Sequence, residues 1–298
     1  MTKKTTGTER EKPSIGFIGA GKLANALAPA LRRAGYAVSA AASRRFASAK
    51  TLAARVEGCT AYRDAQAVAN ACTLVVVATP DDAISTAISR LNWRPNQAVA
   101  HCSGAKDANV LAPAASRGAT TGVFHPLQTF AGGKPDATNI QGITFSLEAE
   151  GVLLADLKEM AESLGGRWVV LRAEDKALYH ASAVITSNYM VTLVSVAAGL
   201  WTDFGVGAAE ATTALLPLMK GTLANIERVG LPGCLTGPIA RGDIGTIRRH
   251  LQAIKARAPS LEEAYRELGQ LTIPLACAAG TLDKAATDSL TEVLTERV

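Results

Sequence analysis

Short apolar runs, separated by stretches with helical spacing, dominate the chain up to residue 172. A short run rich in Val, Ile and Ala is typical of a buried strand, whereas apolar residues recurring every three or four positions are typical of a helix. The pattern predicts strands over residues 15–18, 36–42, 58–62, 73–78, 98–101, 121–124, 143–147 and 167–171. Because these strands alternate with helices, we predict an α/β fold with a mostly parallel sheet.

Beyond residue 172 the pattern changes, and no further strand is predicted. The remainder has helical periodicity, so we place a domain boundary there and predict an all-α domain over residues 173–298. Residues 177–202 carry no formal charge and are long enough to cross a bilayer, but their polar residues favour a helix buried inside a soluble domain. Pro217 is expected to kink or interrupt a later helix.

The first strand leads directly into a glycine-rich turn and a helix. The turn reads Gly19-Ala20-Gly21-Lys22-Leu23-Ala24, which fits the dinucleotide-binding pattern G-x-G-x-x-A. Gly19 permits a tight turn, Gly21 lets the backbone approach a pyrophosphate, and Ala24 allows helix and strand to pack closely. We predict that all six residues bind a dinucleotide at the amino end of the helix, and that residues 13–172 form a doubly wound Rossmann domain. An ordinary strand–turn–helix is the alternative.

The second strand ends in Ser43-Arg44-Arg45, and no carboxylate occurs between Ala20 and Val56. An NAD site normally has an Asp or Glu there, which binds the ribose 2′-hydroxyl. Arginine instead presents a planar fork of donors that suits phosphate. The sequence therefore predicts NADP, with these three residues on the 2′-phosphate. The alternative is that two solvated arginines simply precede the next helix.

Further polar residues follow the ends of later strands. In a parallel sheet the ligand lies beyond the carboxyl ends of the strands, which all emerge at one edge. Cofactor contacts are therefore expected from Ala78, Thr79, Pro80 and Ser103. His125 and Gln128 follow the strand over residues 121–124 and are expected near the nicotinamide, since histidine suits proton transfer near neutral pH. A structural role for His125 is equally open.

One helix after the boundary carries a column of polar residues. Lys176, His180 and Ser187 share one face at helical spacing, with Asn188 at its edge. Buried polar groups need partners, so this column either is satisfied internally or lines a site. Arg241, in a loop with two nearby glycines, is a candidate anchor for a substrate carboxylate, and a plain surface arginine is its alternative.

Composition narrows the classes of partner. The chain has 298 residues, 48% hydrophobic and 19% charged, with a formal net charge of +5 and no long run of like charges, so we expect neither a nucleic-acid nor a membrane partner. The net charge suits a small anionic substrate. Five scattered cysteines without a C-x-x-C pair favour reduced thiols in the cytoplasm, and we predict no metal site. Residues 1–12 are polar and charged, and we interpret them as a disordered tail rather than a secretion signal.

Taken together, these motifs resemble a bacterial family of Rossmann-like proteins with a C-terminal helical domain of unknown function. The resemblance covers nearly the whole chain past the tail. The segments that make it specific are His125-Pro-Leu-Gln128 and Gly237-Pro-Ile-Ala-Arg-Gly-Asp243.

The family belongs with the 6-phosphogluconate-dehydrogenase-like reductases, whose relatives include pyrroline-5-carboxylate reductase, ketopantoate reductase and prephenate dehydrogenase. The resemblance implies an NADP oxidoreductase without an assigned substrate, and a homodimer formed through the helical domain. His125 matches the catalytic histidine of prephenate dehydrogenases. Lys176 matches the lysine of hydroxyisobutyrate-type enzymes, in which an asparagine occupies the place of His180.

The leading hypothesis is an NADP(H)-dependent reductase or dehydrogenase that acts on a small keto, hydroxy or imino acid-like substrate in an interdomain cleft. Lys176 is then expected to donate a proton or polarise a carbonyl, and His125 and His180 to act as acid, base or orienting groups. Substrate contacts are expected from Gln128, Ser187, Asn188 and Arg241. The alternatives are a non-catalytic NADP-binding sensor or partner-binding dimer, and hydride exchange with a deazaflavin coenzyme.

Overall fold

A computed structural model describes residues 11–130 and 140–296 of the chain. Its core is a sheet of eight strands in the order β3-β2-β1-β4-β5-β6-β7-β8. The strands are β1 (Ile15–Ile18), β2 (Val38–Ala42), β3 (Thr60–Tyr62), β4 (Leu74–Val77), β5 (Ala98–His101), β6 (Thr120–Pro126), β7 (Thr144–Glu148) and β8 (Arg167–Val170). All eight predicted strands are therefore present, and a mostly parallel sheet is confirmed.

The sheet changes direction at one place. Strands β1 to β6 are parallel, β7 pairs antiparallel with β6, and β8 is parallel to β7. In the β6–β7 pairing, His125 lies opposite Ser146 and Pro126 opposite Phe145. The prediction that β6 ends at Phe124 and that His125 begins a loop is therefore wrong, because β7 extends the ladder by two residues.

Helices cover both faces of the sheet. They are α1 (Lys22–Arg33), α2 (Phe46–Ala53), α3 (Ala65–Ala71), α4 (Ile84–Ile88), α5 (Ala112–Ala115) and α6 (Gly151–Ser163). Successive strand residues point to opposite faces, so Phe17 packs in one core with Leu27 and Leu157, and Ile18 packs in the other with Val68. Two separate cores on one sheet are the hallmark of a doubly wound domain.

The described chain beyond Val170 is helical. The helices are α7 (Lys176–Val184), α8 (Met190–Leu200), α9 (Ala208–Val229), α10 (Ile244–Arg257), α11 (Glu262–Ala278) and α12 (Lys284–Thr295), with a π-helical turn over Ile185–Tyr189. The first compact unit extends through Ser187, past the predicted boundary at 172, because α7 contacts the sheet. The second unit is Asn188–Val298. Helix α9 continues through Pro217, so the predicted interruption there is wrong.

The uncharged stretch is not buried in the single chain. By length and composition, Ala173–Phe204 could cross a membrane, and only 6% of its most apolar window is buried. Leu178 is 78% exposed and Val191 is 69% exposed, so the expectation of a buried helix is wrong for the isolated chain. A contiguous set of exposed apolar side chains of this size is uncommon on a soluble monomer.

Most of the predicted disordered tail lies outside the residues that the structure describes. Residues 1–10 lie outside the described residues, whereas Lys12 donates from Nζ to the carbonyl oxygen of Ala34 at 3.2 Å. The same ammonium lies 4.5 Å from the ring centre of Tyr36. Lys12 therefore belongs to the folded unit.

Candidate functional site

The turn after β1 has the shape that a dinucleotide requires. Gly19 adopts φ +104°, and a Cβ there would lie 2.4 Å from the carbonyl oxygen of Ala78, so only glycine fits. Gly21 is exposed, and a Cβ there would meet nothing within 4 Å, which leaves its backbone open to a ligand. Helix α1 begins at Lys22 without a side-chain cap, so its first amides point into this open space.

The other residues of the turn support this cradle. Ala20 and Ala24 are buried, Leu23 is half-buried and Lys22 is exposed. Thr79, at the adjacent end of β4, has a buried hydroxyl with no hydrogen-bond partner among the described residues. An orphaned polar atom beside an open glycine turn fits a polar ligand at this edge. Its neighbours Ala78 and Pro80 are half-buried and exposed, respectively.

Asn25, which sequence reasoning missed, braces the turn. Its buried side chain donates to the carbonyl oxygens of Ala20 at 3.1 Å and Gly21 at 2.9 Å. Its Oδ1 accepts from the guanidinium of Arg55 at 3.2 Å. The signal in the sequence was a lone amide inside an apolar helix, since such a residue needs partners when buried.

We expect Asn25→Ala to lower the free energy of unfolding by about 1–3 kcal/mol, because a buried carbonyl oxygen at Ala20 and a partly buried one at Gly21 lose a donor. Urea denaturation measures this change. Asn70→Ala is the matched control, since Asn70 is an exposed asparagine whose side chain only accepts from Gln66. An equal effect of the two substitutions would contradict the bracing role.

The end of β2 carries free positive charge. Arg44 and Arg45 are exposed, Ser43 is half-buried, and neither guanidinium has a hydrogen-bond or ion-pair partner within residues 11–130 and 140–296. Arg63 directly follows β3, which pairs with β2, and its guanidinium lies 4.3 Å from the ring centre of Phe46. Three arginines at the ends of two neighbouring strands, near a serine, fit a phosphate. Sequence reasoning missed Arg63 because nothing along the chain states that β3 pairs with β2.

A histidine and a tyrosine meet on one face of the sheet. His125 of β6 and Tyr179 of α7 form a hydrogen bond, with Nδ1 and the hydroxyl oxygen 3.0 Å apart and the rings edge to face. Both side chains are half-buried. Burial, followed by the positive charge of Lys176, lowers the pKa of His125 to about 4, and burial raises the pKa of Tyr179. Both groups are therefore uncharged near neutral pH.

Gly104, on the loop after β5, lies between two histidines. A Cβ there would be 2.8 Å from Nε2 of His125 and 3.1 Å from Cδ2 of His180. Of the residues predicted to be catalytic, His125 and His180 are thus brought together. Tyr179 was missed, although it precedes His180 and lies one helical turn from Lys176.

Lys176, the predicted proton donor, lies behind this pair. It is 1% exposed, and its Nζ is 3.4 Å from Oε2 of Glu148 on β7. Burial lowers the pKa of Lys176, and the charge of Glu148 opposes this shift. Because Nζ is enclosed, it reaches no surface that a substrate could contact, which differs from the direct role expected for it. Glu148 was missed because its pairing depends on the register of β7.

Ser103 is hydrogen-bonded to a carboxylate. Its hydroxyl donates to Oδ2 of Asp81 at 2.7 Å and accepts from the amides of Ala105 and Lys106. Its own amide donates to Nδ1 of buried His101 at 3.1 Å, so Nε2 of that ring is the protonated nitrogen and donates to the carbonyl oxygen of Asp107 at 2.9 Å. These bonds fix the loop after β5 and leave Ser103 buried.

The stability of the protein is expected to depend on pH through His101. Burial lowers the pKa of His101 from 6.5 to about 4, so between these values the unfolded chain binds a proton that the folded chain does not. As pH falls from 7 to 4, wild type should lose about 2–3 kcal/mol more free energy of unfolding than His101→Asn. Urea denaturation at both pH values measures this, with His250→Asn as an exposed control. Parallel losses in all three proteins would contradict it.

The four residues predicted to contact the substrate differ in exposure. Gln128 is exposed, and its Oε1 accepts from the amide of Thr129 at 2.7 Å. Ser187 is half-buried in the π-helical turn. Asn188 and Arg241 are exposed residues of the second compact unit. Their substrate roles stay predictions.

Metal chemistry has no evident ligand set in the described part of the chain. Within residues 11–130 and 140–296, no three His, Cys, Asp or Glu side chains are arranged to hold a metal ion.

Two family models match the chain. Residues 1–126 match a Rossmann-like domain, and residues 143–272 match a domain of unknown function named DUF2520. Among curated proteins, none is significantly similar to this chain.

Several solved structures share the fold. A protein of Bacteroides fragilis named putative NADP oxidoreductase is 28% identical, with 88% of this chain and 98% of that chain covered at a TM-score of 0.70. A Thermotoga maritima protein is 26% identical, with coverages of 89% and 98% and a TM-score of 0.73. A pyrroline-5-carboxylate reductase of Coxiella burnetii, at 17% identity, coverages of 95% and 99% and a TM-score of 0.58, shows the likeness of fold alone.

The matched segments follow the architecture closely. The Rossmann-like match contains β1 to β6, and the DUF2520 match begins just before β7 and contains α7, with Lys176 and Tyr179. The histidine–tyrosine pair thus joins one residue from each matched segment. The chain thus matches a Rossmann-like domain followed by a DUF2520 domain, in keeping with the family that its sequence resembles.

Proposed function

We propose that this chain is an NADP(H)-dependent oxidoreductase that transfers a hydride to or from a small keto, hydroxy or imino acid-like substrate. One observation carries the proposal: the strained turn at Gly19 and the free guanidinium groups of Arg44 and Arg45 follow neighbouring parallel strands. Both lie at the carboxyl edge of the sheet, where such folds bind dinucleotides. The name of the Bacteroides fragilis relative agrees with this assignment.

Different residues bind the pyrophosphate and the 2′-phosphate of the proposed cofactor. The open backbone at Gly21 and the first amides of α1 hold the pyrophosphate. Ser43, Arg44 and Arg45 hold the 2′-phosphate, and Arg63 adds a further donor at the end of the adjacent strand. When bound, NADPH supplies the hydride.

The chain's own contribution to the chemistry is the proton. In the proposal, Tyr179 donates its hydroxyl proton to Nδ1 of His125, which places the ring proton on Nε2, beside Gly104. During reduction, Nε2–H gives its proton to the substrate oxygen or nitrogen while the hydroxyl proton of Tyr179 moves to Nδ1, so the imidazole stays neutral and Tyr179 becomes a phenolate. Oxidation reverses both transfers. Lys176 does not touch the substrate, and its buried charge disfavours a positive charge on His125.

Titration calorimetry with NADPH and NADH, followed by NADPH oxidation across a panel of keto acids and imines, tests the proposal. We expect NADPH to bind at least about tenfold more tightly than NADH, a difference of about 1.4 kcal/mol, and at least one substrate to be turned over. Equal affinities, or no binding of either nucleotide, would overturn it. Tight NADPH binding without turnover would favour a non-catalytic NADP-binding module.

We also propose that the protein is a soluble, cytoplasmic homodimer. The support is the apolar surface that the single chain exposes, including Leu178, Ile185 and Val191, which solvent alone would leave uncovered. Val191 also lines an apolar depression of about 310 Å³ between α8 and α9. Cys59, Cys72, Cys102, Cys234 and Cys277 are all free thiols, in keeping with a reducing compartment. Light scattering at several protein concentrations measures the oligomeric state.

A further inference from the structure

Helix α7 lies along one face of β6 and β7, and two contacts fix its position there. Lys176 reaches Glu148 on β7, with Nζ and Oε2 3.4 Å apart. Tyr179 reaches His125 on β6, with the hydroxyl oxygen and Nδ1 3.0 Å apart. Ser146 is two residues before Glu148 and directly opposite His125, and residues in either relation project from the same face of a sheet. The side chain of Ser146 therefore lies on the face that Tyr179 covers.

The hydroxyl of Ser146 is buried without a hydrogen-bond partner of standard geometry among residues 11–130 and 140–296. The residue is 0% exposed, and a buried hydroxyl left in this way costs free energy. Burial raises the pKa of Tyr179, and the nearby hydroxyl of Ser146 lowers it. Hydrogen bonds that act in catalysis are often long or poorly aligned in the free enzyme and tighten as the reaction proceeds. The hydroxyl of Ser146 is thus a donor held beside Tyr179.

Reduction under the proposed function leaves a negative charge on Tyr179. When its hydroxyl proton moves to Nδ1 of His125, the charge remains on the oxygen of a half-buried side chain, where burial disfavours it. The charged and titratable groups that act on His125 come from α7, the end of β4 and β5, and they are Lys176, His180, Asp81 and His101. Among the groups that act on Tyr179 itself, the hydrogen-bond donor is Ser146.

We propose that Ser146 stabilises this charge by donating a hydrogen bond from its hydroxyl to the phenolate oxygen of Tyr179 during turnover. Ser146 keeps its own proton throughout. The O–H bond of Tyr179 breaks, an N–H bond forms at Nδ1 of His125, and Nε2 of the same ring gives its proton to the substrate. Ser146 is a positioning residue, because it acts through Tyr179 and not on the substrate. The inference rests on the proposed function, since only proton transfer from Tyr179 creates the charge.

Ionisation of Tyr179 tests the contact without any turnover. Replacing Tyr179 by 3-fluorotyrosine makes the phenol more acidic, and its fluorine NMR signal reports the ionised fraction at each pH. We expect this phenol to hold its proton about tenfold more tightly in Ser146→Ala than in the protein with Ser146, because a donor to the charged form is lost. Ser163→Ala is the matched control, since it removes a hydroxyl beside another buried tyrosine, Tyr36. Equal titrations with and without the hydroxyl of Ser146 would overturn the inference.

Activity and stability together separate this role from a structural one. Ser146→Ala replaces an unpartnered buried hydroxyl by hydrogen, so the protein should unfold at the same urea concentration as wild type or at a higher one. Its kcat for NADPH oxidation should nevertheless fall about tenfold with KM little changed. Ser146→Thr, which keeps a hydroxyl, should recover most of that loss. In Ser146→Ala, replacing Tyr179 by 3-fluorotyrosine should recover part of it, because the phenolate then forms more easily.

The outcomes distinguish this inference from the proposed function. Wild-type kcat in Ser146→Ala, or a fall in kcat that comes with a lower urea midpoint and no recovery by 3-fluorotyrosine, would overturn the role of Ser146. Failure of the wild-type protein to bind or oxidise NADPH would overturn the proposed function instead, and the titration of Tyr179 would still show whether Ser146 contacts it.

Discussion

Replacing both Arg44 and Arg45 by alanine should weaken NADPH binding by about 100-fold and leave NADH binding nearly unchanged. Each hydrogen bond to a charged group contributes about 1.5–3 kcal/mol, so two losses amount to at least two factors of ten. NADH lacks the 2′-phosphate, so the same substitutions remove nothing that it contacts. Titration calorimetry with both nucleotides measures the change in preference.

The control for this experiment is Arg90→Ala. Arg90 is also exposed, but it follows the far end of α4, away from the carboxyl ends of the strands. It alters the net charge without altering the proposed phosphate site. If Arg90→Ala reproduced a large part of the loss, general attraction of an anion to a positive protein would explain it. If neither variant changed NADPH binding, the 2′-phosphate would lie elsewhere.

The features that sequence reasoning found are local ones. The turn at Gly19 is set by a few neighbouring residues, since a positive φ and a close carbonyl oxygen require glycine whatever the rest of the chain does. The cations after β2 are equally local, because the end of a strand and the residue types that follow it can be read along the chain. Such features need no knowledge of which strands are neighbours.

The features that it missed depend on pairing. Nothing in an apolar run states its direction, so β7 gave no sign of running against β6, and the alignment of His125 with Ser146 was invisible. The position of Glu148 beside Lys176 depends on the same pairing register. Lys176 was expected at a ligand surface because helical spacing fixes which face of α7 it occupies, but not what covers that face. The exposure of Val191 was missed for the same reason, since helical spacing does not show which face of a helix is covered.

His125→Asn should lower kcat for NADPH oxidation by about 100-fold or more, because general acid catalysis contributes about 10²–10⁴-fold to such reactions. Asparagine can still bond to the hydroxyl of Tyr179 but cannot pass a proton on. Tyr179→Phe should lower kcat by a similar factor, since the ring of His125 then loses the hydroxyl proton that replaces its own. NADPH affinity, measured by calorimetry, should change little in either variant.

The chain contains a matched control for this pair. His250 and Tyr265 form the same bond in the second compact unit, with Nδ1 and the hydroxyl oxygen 2.8 Å apart and the rings edge to face. His250→Asn and Tyr265→Phe remove the same atoms from α10 and α11, and we expect both to keep wild-type kcat. Full activity in His125→Asn would show that the proton comes from another group. Equal losses in both pairs would show that a histidine–tyrosine bond of this kind supports the fold rather than the chemistry.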